Sequence, residues 1–542
     1  MTLKKNYLLD VLLMLTLLAG CVKDEFDYKK LKDSQINPEI AVPLVYSSLT
    51  FADILGQHPN STITVDSNHF CTLVYKGNLF SLRADELITF PSQSAYQTYA
   101  LTGTQINTLT TIGTISFSAT QTITVSNAAN VTIDSMEFKS GTLEIAINSE
   151  FLQNGQLQIT IPSLKKNGII AAQTVPINYN NGVPFNVGNP GTPVASFDLT
   201  GYKADLTNGG TTLNQLKLNY TITLTQPGAA PTTATSLFVN CKINQPEFKN
   251  LFGYFGQMQL APDVDTLELS VFNNAFGMGS FTVENPQMIF SIDNSFGLPV
   301  RANITRFDAY NSNSGNFTLS NLGIPNPLPV NSPTVNQIGQ TMSTSFTLTK
   351  QNSDVYNIIS QKPQMLIYKI DALSNPSGTQ QTNFVIDSSM LALNLEVDLP
   401  MYGTANDFCV QDTFDFKFEN IDKVESMLIH SNVTNGFPID VEMQIYFTDE
   451  NFNLLDSLFI PGQVILPAAP VNITTGYVTN TSSKTTDVDM TPLKISHLNT
   501  TKKMLVRATA TTINNGTTDV KIYDFYKLNV TIGAKAKMKI TL

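Results

Sequence analysis

The sequence has no tryptophan, and it is poor in histidine, cysteine and charge. Among its 542 residues there are four His, four Cys and a charged fraction of 14%. Sugar-binding platforms commonly use Trp faces, so a glycan site here would have to use the 18 Tyr and 32 Phe. The scattered histidines leave little scope for a metal cluster or a His-based catalytic triad; they are His58, His69, His430 and His497.

The sparse charge is acidic overall, with a formal net charge of −11 and a sequence pI near 4.9. Nucleic-acid binding needs a basic stripe that neutralises phosphates. The basic runs are short, as at Lys165-Lys166 and Lys502-Lys503. The sequence therefore predicts no nucleic-acid partner.

Where charge is scarce, Ser, Thr and Asn recur throughout, which favours β structure over helices covered with Glu and Lys. The hydrophobic fraction of 42% is ample for folded cores. A chain of this length exceeds the roughly 250–300 residues at which single cores stop growing. We therefore expect several β domains.

Three cysteines lie far apart, at Cys71, Cys241 and Cys409, and none belongs to a C-x-x-C motif. The spacing gives no support for zinc or redox chemistry. Two interpretations stay open for them. They are small buried hydrophobic residues, or two of them form one long-range disulfide in an oxidising compartment.

The first residues have the pattern of a secretory signal. Lys4 and Lys5 precede an apolar run from Val11 to Leu18, and Ala19-Gly20 leads to Cys21. This run is much shorter than the roughly 20 residues that a transmembrane helix needs. We predict a signal peptide over 1–20.

Leu18-Ala19-Gly20-Cys21 resembles the bacterial lipobox, and the resemblance implies that Cys21 is acylated and becomes the mature N-terminus. Lys23, Asp24 and Glu25 resemble the surface-export signal of Bacteroidota lipoproteins. Residues 37–55 also resemble the start of many lipoproteins of an uncharacterised all-β Bacteroidota family. The family implies a palmitate-type lipid anchor in the outer membrane, with the protein facing the cell exterior. It implies no activity.

Apolar and polar residues alternate in many stretches, which is typical of strands with one buried and one solvated face. We therefore predict a mainly β fold, with two or three serial antiparallel β-sandwich domains of immunoglobulin-like type behind a lipidated tether. The clearest stretches are Leu143–Ile147, Leu157–Ile161, Leu216–Leu224, Leu391–Leu399 and Leu528–Leu542.

A faint repeat organises these strands. Three stretches share a strand, an Asn-containing turn and a second strand, and their Asn residues, Asn148, Asn294 and Asn435, are 146 and 141 residues apart. Asn turns also recur by chance in β proteins, so a coincidental match stays open. The stretches are Gly141–Pro162, Met288–Asn311 and Met427–Asn453.

The repeat and the Pro-rich linkers predict the domain boundaries. After the signal peptide we expect a flexible, charged tether over 21–38. The predicted β domains follow one another along the chain, over 39–245, 246–400 and 401–542.

Acidic pairs are the first candidates for chemistry, at Asp263/Asp265, Asp449/Glu450 and Asp487/Asp489. Calcium needs 6–8 oxygen ligands, and no EF-hand-type loop is present. We interpret these pairs as solvated turns. His69 and Cys71 would share a strand face, but with no third partner visible we assign them a structural role. The sequence predicts no metal, no cofactor and no enzymatic activity.

The best candidate for a contact surface is the Gly/Phe-rich stretch 248–256. Four aromatic side chains, Phe248, Phe252, Tyr254 and Phe255, lie within eight residues of one another. The alternative is a β-bulge or a packing corner between two units, which we prefer.

Three functions remain as hypotheses. The first is a non-enzymatic surface lipoprotein that serves as an accessory or structural subunit of an outer-membrane protein complex. The second is a glycan-binding or adhesion lipoprotein, which requires Tyr or Phe side chains on an exposed platform. The third is a hydrolase, which requires two acids close together in a cleft.

Overall fold

The computed structural model describes most of the chain beyond residue 34. Antiparallel strands dominate this part, which confirms the prediction of a mainly β antiparallel fold. The described residues are 35–36, 38–55, 61–126, 131–179, 193–226, 229–273, 275–276, 279–320, 322–379, 382–416, 423–460, 463–472 and 474–541.

The strands up to residue 254 include the two longest, β7 and β13. They are β1 (Gln35–Ile36), β2 (Glu39–Leu49), β3 (Ser61–Val65), β4 (Cys71–Arg83), β5 (Gln93–Ala100), β6 (Thr114–Thr124), β7 (Thr132–Ser149), β8 (Asn154–Lys166), β9 (Ile169–Ile177), β10 (Pro193–Asp198), β11 (Lys203–Asp205), β12 (Gln215–Thr225) and β13 (Ser236–Tyr254).

The strands between residues 259 and 406 are mostly shorter. They are β14 (Gln259–Leu260), β15 (Asp265–Glu268), β16 (Ala275–Phe276), β17 (Ser280–Phe281), β18 (Gln287–Asn294), β19 (Val300–Asn311), β20 (Gly315–Thr318), β21 (Leu328–Val330), β22 (Met342–Leu348), β23 (Met365–Ser374), β24 (Asn383–Ile386), β25 (Met390–Pro400), β26 (Tyr402–Gly403) and β27 (Ala405–Asn406).

The remaining strands reach the end of the described chain. They are β28 (Phe408–Asp415), β29 (Val424–Asn435), β30 (Ile439–Thr448), β31 (Leu454–Ser457), β32 (Val464–Leu466), β33 (Ser482–Met490), β34 (Lys503–Thr512), β35 (Val520–Lys521), β36 (Leu528–Met538) and β37 (Ile540–Thr541).

Helices are short and connect strands. In α3, Thr102 caps the first turn by accepting the Gln105 N–H, and the helix ends at Gly113 with a φ of 79°. The helices are α1 (Phe51–Leu55), α2 (Ala84–Leu87), α3 (Gly103–Ile112), α4 (Val355–Ser360), α5 (Pro492–Thr500) and α6 (Ile513–Gly516), with 3₁₀ turns at Ser270–Phe272 and Val335–Gln337. Among the described residues, no helix is both long enough and apolar enough to span a membrane.

The first sandwich is formed by two sheets with strand orders β10-β7-β13-β5 and β9-β8-β12-β6. Ile145 and Ile159 on their inner faces are fully buried. Tyr220 bridges the sheets, because its hydroxyl donates to Gln121 Oε1 at 2.7 Å and lies 3.1 Å from Cys241 Sγ. The buried hydroxyl is therefore satisfied, as a core polar group must be.

The second and third sandwiches repeat this arrangement. The second has the sheets β22-β18-β25-β4 and β20-β19-β23-β15, with β3, β14 and β21 as further partners. The third has the sheets β33-β29-β36-β2 and β31-β30-β34-β28, with β16 and β32 as further partners.

Each sandwich has eight main strands when the further partners are left out. Numbered one to eight along the chain, these strands form two sheets with the orders 6-3-8-1 and 5-4-7-2. This is the strand order of a jelly roll. The structure therefore refines the immunoglobulin-like description of the sandwiches. Period-2 alternation shows that one face of a strand is buried, but it does not show which strands are neighbours. The sequence therefore could not distinguish an immunoglobulin-like strand order from that of a jelly roll.

The three jelly rolls are nested in the chain. Strand β2 belongs to the third sandwich, and β3 and β4 belong to the second. The whole first sandwich follows, and the chain then completes the second sandwich and finally the third. Strands β2, β3 and β4, which the predicted boundaries assign to the first domain, therefore pair with strands of the other two units.

In each sandwich the chain passes from one sheet to the other at an equivalent turn. The side-chain oxygen of Asn294 accepts the Phe296 N–H at 2.9 Å, and that of Asn435 accepts the Phe437 N–H at 2.8 Å. In the first sandwich the equivalent acceptor is a serine hydroxyl, because Ser149 Oγ accepts the Phe151 N–H at 3.2 Å. These turns show that the repeat is structural.

The first copy is shifted by one residue from the predicted alignment. Ser149, and not Asn148, occupies the turn position. Asn148 lies one residue earlier in β7, where it pairs with Phe238 of β13. The repeat spacing is therefore 145 and 141 residues. Ser and Asn both accept a local N–H, so the turn keeps its geometry although the residue type changes.

Apolar packing differs between the sandwiches. The first and second share one continuous core, which includes Tyr75, Ile147 and Leu395. The third has smaller separate clusters, one around Phe447 and one around Phe437. Most buried apolar residues of the third sandwich therefore form clusters of their own, apart from the core that the first two sandwiches share.

Candidate functional site

The residues that the sequence assigns to lipidation and export lie outside the described part of the chain. These are Cys21 and the segment Lys23-Asp24-Glu25. Their roles stay predictions.

The predicted contact surface at 248–256 is largely a packing corner. Phe248 is 6% exposed and Phe255 is fully buried, so neither is accessible to a partner. Phe252 packs against Phe384, and the Tyr254 hydroxyl donates to the Gly378 carbonyl at 3.4 Å. Bulges interrupt the pairing of β13 with β7 along this stretch. The alternative that we preferred, a bulged packing corner, describes these four aromatic residues.

The cysteines are all buried, and they lie in three different sheets. Burial raises the pKa of the Cys71 thiol to about 11 and that of Cys241 to about 11. A protonated thiol is a poor nucleophile. The burial of Cys71 fits a structural role for this thiol. The prediction that His69 shares a strand face with it is wrong, because β4 begins at Cys71 and His69 lies in the turn before it, with a φ of 66°.

The described histidines each contact an aspartate through Nδ1. His430 lies 2.5 Å from Asp487 Oδ1 across strands β29 and β33. His497 of α5 lies 2.8 Å from Asp456 Oδ2. The third pair is His69 with Asp524, at 3.2 Å. The three pairs belong to different elements, namely the strands β29 and β33, the helix α5 and the turn before β4.

Of the three acidic pairs interpreted as solvated turns, only Asp449/Glu450 lies in a turn. The interpretation is wrong for Asp487 and Asp489, which lie on the exposed face of strand β33, and for Asp265, which begins β15. Alternating strand positions can expose two acids one residue apart as well as a turn does.

Asp449 accepts the backbone N–H groups of Asn451 and Asn453, both at 2.9 Å. A side-chain hydrogen bond from Asn453 lowers the pKa of Asp449. Within the described ranges, no three His, Cys, Asp or Glu side chains are grouped as metal ligands.

An exposed aromatic cluster lies where the second and third sandwiches meet. It consists of Tyr477, Tyr523, Phe525 and Tyr526, which we call the aromatic platform. The rings of Tyr477, Tyr523 and Phe525 are within 16–19° of parallel, with centroids 4.5–6.5 Å apart. Phe525 is 51% exposed and Tyr477 is 39% exposed, whereas Tyr523 and Tyr526 are buried. Two accessible rings are thus supported by two buried ones.

Three loops build the platform. The connection from β35 to β36 supplies Tyr523, Phe525 and Tyr526, and the connection from β32 to β33 supplies Tyr477. The Tyr526 hydroxyl accepts the Val478 N–H at 2.9 Å, which holds the second loop against the first.

The third loop is the hairpin between β3 and β4. Asp66 Oδ1 accepts the N–H groups of Asn68 and Phe70 at 2.8 and 2.9 Å. This turn places His69 in the left-handed region, with a φ of 66°. The His69 ring meets the Phe525 ring edge-on, at a centroid distance of 5.9 Å. A polar imidazole therefore borders the exposed aromatic faces.

The two buried phenols that support the platform are kept neutral by their surroundings. Burial and the neighbouring Tyr477 hydroxyl raise the pKa of Tyr523 to about 12, and burial raises the pKa of Tyr526. Asp524 lies beside His69, and Asp66 is exposed on the hairpin. The exposed aromatic rings can stack on the apolar face of a hydroxylated ring of a ligand. The neighbouring imidazole and carboxylates can hydrogen-bond to the hydroxyls of that ring.

Sequence reasoning missed the platform. The run Tyr523-Asp524-Phe525-Tyr526 has an aromatic density similar to that of the stretch chosen at 248–256, so density alone was a usable signal. Tyr477 and His69 had no such signal, because they come from loops that are distant in the chain.

A polar cleft of about 820 Å³ lies between the first and second sandwiches. Four of its charged groups form two ion pairs, as Lys139 Nζ lies 2.9 Å from Asp387 Oδ2 and Arg83 Nε lies 3.3 Å from Asp85 Oδ1. It presents neither a concentrated charge nor an exposed aromatic face, so we prefer the platform as the site.

Comparison with known proteins gives no family. No protein-family model and no curated protein matches the chain. A candidate secreted protein of Parabacteroides distasonis ATCC 8503 is 13% identical, with a TM-score of 0.25, over 53% of this chain and 89% of that one. The infectious bursal disease virus VP2 subviral particle is 8% identical, with a TM-score of 0.12, over 85% of this chain and 84% of that one. At these scores the likenesses carry no argument.

Proposed function

We propose that this protein is a non-enzymatic lipoprotein of the outer-membrane surface that binds a carbohydrate chain on the aromatic platform. The observation that carries the proposal is the pair of exposed, nearly parallel rings of Phe525 and Tyr477, 6.5 Å apart and bordered by His69. Stacking on a sugar ring uses the π faces, and the imidazole and carboxylates supply hydroxyl partners. The lipobox resemblance at Cys21 supports the anchor.

Replacing Phe525 by alanine is expected to weaken glycan binding by up to about tenfold, because one lost aromatic contact costs about 0.5–1.5 kcal/mol and about 1.4 kcal/mol corresponds to a tenfold change in affinity. Binding is measured on a glycan array and then by calorimetry with the best ligand. Tyr96→Ala is the matched control, since Tyr96 is 63% exposed and stacks on Phe238 away from the platform. An array without hits, or equal losses in the two variants, would contradict the proposal.

A specific observation also favours a second candidate, the accessory subunit of an outer-membrane protein complex. Strand β2 lies at the edge of its sheet and exposes Ile40, Val42 and Tyr46, at 45%, 47% and 89%. An apolar sheet edge is suited to pairing with another chain. Pull-down from detergent-solubilised membranes should then recover a stoichiometric partner, and Val42→Lys should release it. A wild-type protein that elutes alone would contradict this second candidate function.

Surface location has its own test. Replacing Asp24 and Glu25 by Asn and Gln is expected to leave Cys21 acylated while the protein faces the periplasm, because the export signal has lost its acids. Protease added to intact cells should then remove the wild-type protein and spare the variant. Removal of both by the protease would show that these acids are not the signal.

A further inference from the structure

An apolar cavity of about 260 Å³ lies below the aromatic platform, where the second and third sandwiches meet. Phe51 and Ile54 of α1 form one side, Leu73 and Leu399 belong to the second sandwich, and Ala510 belongs to the third. The cavity adjoins the platform because Ile522, which lines it, directly precedes Tyr523.

The few polar groups of the wall are already satisfied. The hydroxyls of Thr282 and Thr404 bond to each other at 2.8 Å, and the Thr512 hydroxyl donates to the Ala405 carbonyl at 3.3 Å. These hydroxyls are engaged within the wall, and most of the other side chains that line the cavity are apolar. A polar ligand would lose its hydration here without recovering its hydrogen bonds.

The cavity has the size of a small apolar ligand site. An engineered cavity of about 150 Å³ lined by apolar side chains stays dry and binds benzene. The volume of about 260 Å³ is larger, so it has room for more than one small ring.

One side of the cavity reaches solvent. Ile54 lines the cavity and is 48% exposed, so the wall at α1 is thin. The helix is held by its own cap, in which Asp53 Oδ2 accepts the Thr50 N–H at 2.9 Å and the Thr50 hydroxyl at 2.7 Å. A ligand that enters here can keep a polar end in water beside Ile54.

From these observations we propose that the cavity binds one alkyl chain of an amphiphile, with its head group outside at α1. The site is apolar inside and open to water at one end, which matches the chemistry of a fatty acid or a membrane lipid. The site is separate from the glycan site on the platform, and it does not depend on it.

The test uses the full chain carrying Cys21→Ser, so that no acyl group of its own competes. A series of 1-alkanols from butanol to dodecanol is titrated by calorimetry. The affinity should rise about fourfold per methylene and then stop rising when the chain fills the cavity. Absence of binding, or a rise with no plateau, would overturn the proposal.

Two substitutions locate the binding. Ala510→Phe fills the cavity and should abolish binding, whereas Ala41→Phe, on the exposed face of β2, should leave it unchanged. Should Ala510→Phe fail to fold, Ile54→Asp serves instead, because this exposed position tolerates a charge that repels the chain at the entrance. Unaltered binding in a folded variant of either kind refutes the site.

Competition identifies the source of the chain. Laurate and lauroyl lysophosphatidylethanolamine are each added to the decanol complex. Displacement of decanol by laurate alone indicates that the ligand is a free fatty acid. Displacement by the lysophospholipid indicates that it is a membrane lipid. Both results support the proposal. Displacement by neither would contradict binding of an amphiphile.

Discussion

A fragment of residues 84–254 is expected to fold by itself, whereas a fragment of residues 246–400 is expected to remain unfolded. The first contains all eight strands of its jelly roll, from β5 to β13. The second lacks β4, which pairs along β25 and contributes the buried Leu73, Tyr75 and Leu79. Each such side chain contributes about 1.5–3 kcal/mol on burial, and a domain has only about 5–15 kcal/mol of stability.

The measurement is amide-proton dispersion by NMR, together with resistance to protease. As a control, residues 61–83 are fused to 259–400 through a flexible linker, which restores β3 and β4 to the second sandwich and should restore its folding. Cooperative unfolding of the fragment 246–400 alone would show that the nested strands are dispensable.

The second large effect is expected at the buried turn residues. Asn294→Ala and Asn435→Ala should each lower the free energy of unfolding by about 2–4 kcal/mol, because an unsatisfied buried group costs about 1–3 kcal/mol. Asn294 Nδ2 donates to the Asn331 carbonyl at 3.0 Å. Asn435 Nδ2 donates to two carbonyls, those of Ile439 and Pro467, at 3.0 and 2.9 Å. Each substitution also removes the acceptor for the N–H two residues later.

Asn148→Ala is the matched control for these turns. Asn148 precedes the turn, and within the described residues its Oδ1 is buried without a hydrogen-bond partner. Its replacement should change stability by less than about 1 kcal/mol. Urea denaturation followed by tyrosine fluorescence, since the chain has 18 Tyr and no Trp, compares the three variants. A loss at Asn148 as large as that at Asn294 would restore the original alignment of the repeat.

Local structure was largely predictable from the sequence. The alternation from Leu216 to Leu224 marks β12 within one residue at each end. The sequence identifies the turns of the second and third copies, because Asn is the common residue that accepts a nearby N–H. It misplaces the turn of the first copy by one residue, because Ser149 makes the same bond with a different side chain.

The candidate site was not predictable to the same degree. The aromatic density of the stretch 248–256 indicates a contact surface, but a dense aromatic run fits a core as well as a surface. Phe248 and Phe255 are buried, whereas Phe525 in a run of similar density is exposed. Exposure depends on what packs over a residue, and that is a property of the assembled loops.

The sequence by itself determined that this protein is built from amphipathic strands joined by Asn and Ser turns, since one-sided burial and local hydrogen bonds leave a pattern within a few residues. Only the tertiary structure decided which strands pair. Many strands here share the same alternation, so register and sheet-on-sheet packing select among them. That selection placed β2 and β4 in sandwiches completed hundreds of residues later, and it brought Tyr477, His69 and Phe525 together.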